Sequence, residues 1–253
     1  MELYYLSVSA VLGLCLGSFL NCMAWRLYEG ETLGGRSHCR SCNKTIAWYD
    51  NIPILSFFLL KARCRHCHDN ISWQYPMVEF ITGLLFVLAF MATPFSWLFI
   101  IRNWFIISVL VLIFIMDARW YVILDKISIP SALIILGVNI WLGMSWQNLL
   151  ISATIGTGFF LIQYLVSRGR WIGGGDIRLG FLLGVALGWP QIVAALFLAY
   201  GLGAVYGIIL LISKKKTWGS MVAFGTCLSV AGAISLLYGT GIVNWYLSLI
   251  NWH

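Results

Sequence analysis

Two aspartates and four cysteines hold the side chains of this sequence with the clearest chemical potential. Asp117 closes a long apolar run, Ile113-Phe114-Ile115-Met116-Asp117, and Asp176 opens another directly after Gly173-Gly174-Gly175. Two carboxyl groups that share a proton can hydrolyse an amide. One, as carboxylate, activates a water; the other, protonated, polarises the carbonyl and later protonates the leaving amine. Such a pair titrates as a unit. An Asp at a helix start also serves as an N-cap, which fits Asp176 and equally Asp125, ahead of Lys126-Ile127-Ser128. On spacing alone Asp125 competes with Asp117 for the first position of the pair. The three glycines are expected to unwind the chain and let a bound strand come close, because glycine tolerates backbone angles that other residues avoid. Gly173, Gly174 and Gly175 are therefore candidate binding residues.

Cys39-Arg40-Ser41-Cys42 and Cys64-Arg65-His66-Cys67 are two C-x-x-C pairs separated by residues 43–63. Each pair puts two thiolates on a tight turn, and two such turns close a tetrahedral zinc site. His38, His66 and His68 could substitute, but four Cys suffice. A filled four-Cys site has no open position, so the metal is expected to be structural. Cys15, Cys22 and Cys227 sit in apolar runs and read as small buried hydrophobes.

These residues need elements to position them, and composition says what kind. The chain has 253 residues, of which 60% are hydrophobic and only 10% charged. A soluble domain is about a quarter charged, so this sequence cannot cover a water-facing surface. Apolar runs cover roughly residues 3–25, 77–93, 96–117, 127–145, 148–167, 177–188, 190–212 and 221–250. They predict an all-α polytopic membrane protein of about eight transmembrane helices. The run at 177–188 is short for a full span. The first run lacks a basic leader and a small-residue cleavage site, and is expected to remain as a helix. The polar stretch 26–76 reads as a small zinc-ribbon-like domain inserted after the first helix (1–25), ahead of a membrane domain at 77–253.

The net charge of +7 does not point to nucleic acid, because Lys and Arg cluster at the ends of the apolar runs, where they set topology. With 26–76 in the cytoplasm, Arg119, Lys126, Arg168, Arg170, Arg178 and Lys214-Lys215-Lys216 fall on the same side, and only Arg102 lies elsewhere. The N-terminus is then outside. Trp25, Trp48, Trp73, Trp97, Trp146, Trp218, Trp245 and Trp252 flank the runs, as an interfacial aromatic belt does. Carboxylates at membrane depth are functional candidates. Glu79, Asp117, Asp125 and Asp176 qualify, and Asp117 and Asp176 reach the same cytoplasmic depth.

The chain as a whole resembles the bacterial type IV prepilin peptidases, membrane aspartic peptidases of the Gly-x-Gly-Asp kind. Gly17-Ser18-Phe19-Leu20-Asn21 with Arg26-Leu27 resembles the family's opening signature. Ser37-His38-Cys39-x-x-Cys42, Asp50-Asn51-Ile52-Pro53, Cys64-Arg65-x-Cys67 and Tyr75-Pro76-Met77-Val78-Glu79 resemble its N-terminal domain. Asp117 through Asp125 resembles the stretch whose first Asp is catalytic, which selects Asp117 over Asp125; Gly173-Gly174-Gly175-Asp176 resembles the second catalytic motif. Phe224-Gly225 resembles a late Phe-Gly-Pro signature, with Thr226 in place of Pro. Leu124 stands where the family has Pro, and Gly34-Gly35 replaces a Pro-containing approach to the first Cys pair. The resemblance implies cleavage of prepilin or pseudopilin leaders at the cytoplasmic face of the inner membrane. It also implies N-methylation of the new terminus with S-adenosylmethionine, for which Glu79 and the 26–76 domain are candidates. Glu79 reads equally as an interface carboxylate paired with a cation. The competing class is a transporter that uses Asp117 and Asp176 for ion coupling, with the zinc domain as a docking module.

Overall fold

The computed structural model describes residues 2–213 and 223–250. Lys214-Lys215-Lys216, Trp218 and Trp252 lie outside them. Nine α-helices occur among the described residues, and the only β pairing there is two isolated bridges, His38 with Thr45 and Arg63 with Asn70. Residues 1–95 and 96–253 form two compact units.

The first unit holds α1 (Glu2–Glu29), the short α2 (Leu55–Leu59) and α3 (Gln74–Ala92). Helices α1 and α3 run antiparallel and touch backbone to backbone. A Cβ added at Gly13 would lie 2.7 Å from Gly83 Cα, and one at Gly17 would lie 2.8 Å from Glu79 Cα. Small residues allow this approach where lipid offers no hydrophobic drive for helix association. Asn21 closes the end of the pair: its Nδ2 donates to Tyr75 O at 3.4 Å, and Gln74 Nε2 donates to its Oδ1 at 3.3 Å.

The second unit holds α4 (Trp97–Trp120), α5 (Asp125–Trp141), α6 (Trp146–Ser167), α7 (Gly174–Leu187), α8 (Gln191–Ile212) and α9 (Phe224–Ile250). Its centre is its shortest helix. The 14-residue α7 packs on α5, α6 and α9 and buries Leu179, Leu182, Leu183, Val185 and Ala186 completely. Its partner α6 lies close because both present glycine. A Cβ on Gly180 would fall 2.5 Å from Gly156 O, and one on Gly184 2.5 Å from Ala153 Cα.

Six helices, α1, α3, α4, α6, α8 and α9, are long and apolar enough to cross a membrane. The eight expected segments are all helical, but α5 at 17 residues and α7 at 14 fall short of that length. At 1.5 Å per residue α7 reaches about 21 Å, against a hydrocarbon core of ~30 Å. A helix that ends at depth leaves its last carbonyls unpaired, and here three of them find donors outside the regular helix pattern or at its very end. Gly184 O takes the Gly188 N–H at 3.0 Å. Val185 O would need the Trp189 N–H, which is given to Asn148 Oδ1 at 2.8 Å; Asn139 Nδ2 donates to it instead, at 2.6 Å. Ala186 O would need residue 190, a proline without an N–H, and accepts from Arg102 Nη2.

Arg102 also donates through Nε to Asn139 Oδ1 at 2.7 Å and through Nη1 to Asn103 Oδ1 at 2.8 Å. The one cation that broke the expected charge asymmetry is thus a clamp on the C-terminus of α7, where the helix dipole favours positive charge. Arg102→Met leaves Ala186 O and Asn139 Oδ1 unpaired at depth. It is expected to lower stability by about 2 kcal/mol, read as a drop in unfolding temperature of the detergent-solubilised chain. Lys cannot reproduce the three-way fork, so Arg102→Lys should recover only part of the loss.

Candidate active site

Asp117 lies three residues before the end of α4, where Tyr121 turns into the left-handed region (φ 56°) and returns its N–H to Asp117 O at 2.9 Å. The side chain points inward and is only 6% exposed. Its Oδ2 accepts the N–H of Thr226 at 2.6 Å. Thr226 is in the first turn of α9, so the carboxylate of one helix caps the free N–H groups of another. Asp176 is the third residue of α7 and equally buried. Its Oδ2 accepts the N–H of Gly173 at 3.1 Å, while the Asp176 N–H returns to Gly173 O at 3.1 Å. Each carboxylate therefore has one oxygen held by a backbone donor and the other without a partner among the described residues.

The surroundings of the two interlock through Ile123. A Cβ on Gly175, beside Asp176, would lie 2.8 Å from Ile123 Cβ. One on Gly225, beside Thr226, would lie 2.9 Å from both Ile123 Cδ1 and the Asp117 carboxylate. The same side chain fills the space next to both acids.

The glycines work differently from the expectation of an unwound stretch. Only Gly173 is extended (φ −76°, ψ 153°), while Gly174 and Gly175 already belong to α7. Gly175 is small because Ile123 needs the room. Gly174 has nothing within 4 Å of its Cβ position, so the approach there is open. Asp125, the rival on spacing, is exposed and ion-paired with the half-exposed Arg178. Sequence reasoning missed Ile123 and the Thr226 N–H. Phe224-Gly225-Thr226 gave the only signal, as a motif whose purpose was unread.

In the first unit the two Cys turns have matching backbones. Cys39 N–H donates to Lys44 O and Asn43 N–H to Cys39 O, both at 2.9 Å; Cys64 N–H donates to Asp69 O at 2.9 Å and His68 N–H to Cys64 O at 3.0 Å. Asn43 (φ 54°) and His68 (φ 58°) turn the chain at the same position of each. The four Sγ atoms of Cys39, Cys42, Cys64 and Cys67 lie within 4.8 Å of one another, with Cys39 and Cys67 at 3.7 Å. Zn–S bonds of about 2.3 Å span a tetrahedron with edges of about 3.8 Å, so the donor set fits a zinc ion. The thiols share their protons: backbone N–H groups of Cys67 and then His66 pull the Cys64 thiol down to about 7, while Cys67, despite the backbone N–H of Asp69, is pushed up to about 12 by burial and its neighbouring thiols, so one thiolate forms readily and the others are the ones a metal would have to deprotonate.

Side chains fasten this module together. Ser41 bonds the Asp69 carboxylate, whose pKa it holds down. Arg65 grips Asp50 through two bonds of 2.7 and 2.6 Å. Arg40 lies 3.7 Å over the Trp25 ring, a cation–π contact. Buried Arg26 gathers the carbonyls of Leu33, Gly34, Gly35 and Arg36 at 2.8–3.3 Å. Serine at any of the four Cys positions should abolish stoichiometric metal and unfold residues 37–72 first, which metal analysis with amide exchange would detect. Of the remaining cysteines, Cys227 is buried as expected, whereas Cys15 faces outward.

Glu79 is buried and has no cation partner among the described residues. Its Oε2 accepts the Ile54 N–H at 2.7 Å.

Comparison with known proteins bears on both units. Residues 11–93 match the model of the bacterial peptidase A24 N-terminal domain, and residues 104–208 match that of the type IV leader peptidase family. A prepilin leader peptidase/N-methyltransferase of Aeromonas salmonicida is 32% identical over 97% of this chain and 95% of its own. Its namesake in Bacillus subtilis is 28% identical over 96% and 98%. The one in Myxococcus xanthus is 35% identical over 81% of this chain and 63% of its own. No solved structure matches. With two interlocked buried aspartates, a four-cysteine cluster and full-length relatives of this kind, the chain belongs to the type IV leader peptidase family.

Proposed function

We propose that this protein is a membrane aspartic endopeptidase that cuts the leader from prepilins or pseudopilins, with Asp117 and Asp176 as its catalytic pair. The observation that carries this reading is the pairing of two buried carboxylates, each with one oxygen fixed by a helix-start N–H and the two joined by Ile123. One carboxylate takes a proton from water as the water oxygen bonds to the scissile carbonyl carbon. The other acid gives its proton to the carbonyl oxygen. As the tetrahedral centre collapses, the C–N bond breaks and a proton passes to the leaving amine. Gly174, open at its Cβ position, is where a substrate strand passes close to the acids.

Residues 26–76 form the metal-binding module and 77–253 the peptidase domain. Cys39, Cys42, Cys64 and Cys67 hold a structural zinc, which when bound supplies a rigid cross-link between the two turns and no reaction step. The chain is a multi-pass protein of the bacterial inner membrane. The charge pattern supports an N-terminus outside, with module and acids at the cytoplasmic face. Methylation by S-adenosylmethionine follows from the relatives' names alone. Glu79 is committed to the Ile54 N–H, and the structure gives no residue set for that cofactor. Purified chain incubated with a pilin-like protein from its own genome should release the leader, seen by mass spectrometry. An added methyl on the new terminus, dependent on S-adenosylmethionine, tests the second activity separately.

A further inference from the structure

Helix α2 carries its polarity the wrong way round for a segment of a water-facing module. Leu55, Phe58 and Leu59, at i, i+3 and i+4, share its exposed face, and Leu59 is 72% exposed. The buried face is Ser56 and Phe57. An apolar face this open on so small a module marks contact with something apolar.

What covers it follows from continuity. Trp73 begins a stripe that descends α3 at helical spacing through Met77, Phe80, Ile81 and Leu84, all exposed. On a spanning helix such a stripe meets lipid. Phe58 and Phe57 pack edge-on against Trp73, with ring centroids 6.1 and 4.9 Å away. The outer face of α2 thus extends the lipid-facing surface of α3 sideways at the level where that helix begins. Exposed Lys61 and Arg63 follow directly after α2, and at that level they would meet headgroup phosphates.

The segment is also built to stay there. Ile54 has φ 62° and Lys61 and Ala62 have φ 51° and 57°. A β-branched residue with positive φ is a genuine outlier. The buried Glu79 carboxylate pins Ile54 through its N–H, and Ala62 N–H returns to Phe57 O at 2.9 Å. We infer that α2 is a foot that rests in the bilayer interface beside α3, its Leu55–Phe58–Leu59 face in the acyl boundary and Lys61 and Arg63 on anionic headgroups, with Glu79 as its tether.

The test places a photoreactive benzoylphenylalanine at position 59 of the full chain, in nanodiscs of equal parts phosphatidylcholine and phosphatidylglycerol. Position 80 is the lipid-facing control and position 44 the solvent-facing control. Phospholipid adducts at 59 should come within about twofold of those at 80 and exceed those at 44 at least about tenfold. Adducts at 80 without any at 59, or adducts at 59 to a second copy of the chain, would overturn the inference. The unlabelled chain gives a check free of the probe. Amides 58–60 should exchange at least about tenfold more slowly in nanodiscs than expected for an exposed single turn in water, and exchange as fast as that turn would also overturn it.

Discussion

Asp117→Asn and Asp176→Asn are each expected to cut leader cleavage by at least about a thousandfold while leaving the chain folded. Asparagine keeps the carbonyl oxygen that accepts the Thr226 or Gly173 N–H, so the helix-start contacts at 2.6 and 3.1 Å survive. It can neither take a proton from water nor give one to the substrate. Each substitution removes one half of a coupled act, and the partner cannot perform both halves in one step. The two losses should therefore not add: the double variant should be no slower than the worse single. A structural role for either aspartate predicts the reverse pattern, with unfolding temperature falling along with activity.

Gly180→Leu is expected to prevent accumulation of folded protein. Even a methyl group at Gly180 meets Gly156 O at 2.5 Å and Phe160 Cδ2 at 2.7 Å. The ring could rotate, but the carbonyl belongs to the helix backbone and can move only with α6. Overpacking costs about 1–3 kcal/mol where side chains can adjust, and here two backbones must separate. Because α7 carries Asp176 at one end and the Arg102 clamp at the other, separation also moves the acid away from Ile123. Gly180→Ala should fold with a lower unfolding temperature and reduced cleavage. Gly158→Ala on α6 has open space around it and should change neither, which isolates the contact from the general effect of adding a methyl group to a membrane glycine.

The sequence displayed the helices and the cysteine turns because both are local. Apolar runs mark spans, and C-x-x-C spacing marks a turn, so the eight long helices and the four clustered cysteines were legible residue by residue. Depth was less so. Residues 177–188 were visibly short, but the shortness of α5 was hidden because Leu142 and Met144 carry the apolar run past Trp141, where the helix ends. Arg102 read as an exception to the charge rule because its partners, Asn139 and Ala186, are 37 and 84 residues away. The acids were found as types, but the choice between Asp117 and Asp125 needed a family pattern. In the structure the difference is physical: Asp117 is buried against the start of α9, 109 residues later, and Asp125 faces outward to Arg178. Nothing local marks Ile123 as the side chain that the two glycines make room for.

The Thr226 contact also gives meaning to one departure from the family pattern. Proline at that position would have no N–H, so the 2.6 Å bond to Asp117 exists because a residue other than proline stands there.

On the proposed reading Asp117 and Asp176, and no other acid at that depth, perform the cleavage. That reading is tested most directly by measuring leader release from one prepilin by the Asp117→Asn, Asp176→Asn and Asp125→Asn chains, side by side in the same membranes, with each variant's folded amount determined. No detectable product is expected from the first two, and product within about twofold of the unsubstituted chain from the third, whose exposed ion pair contributes little. Product from either of the first two, or its loss in the third, would contradict the reading.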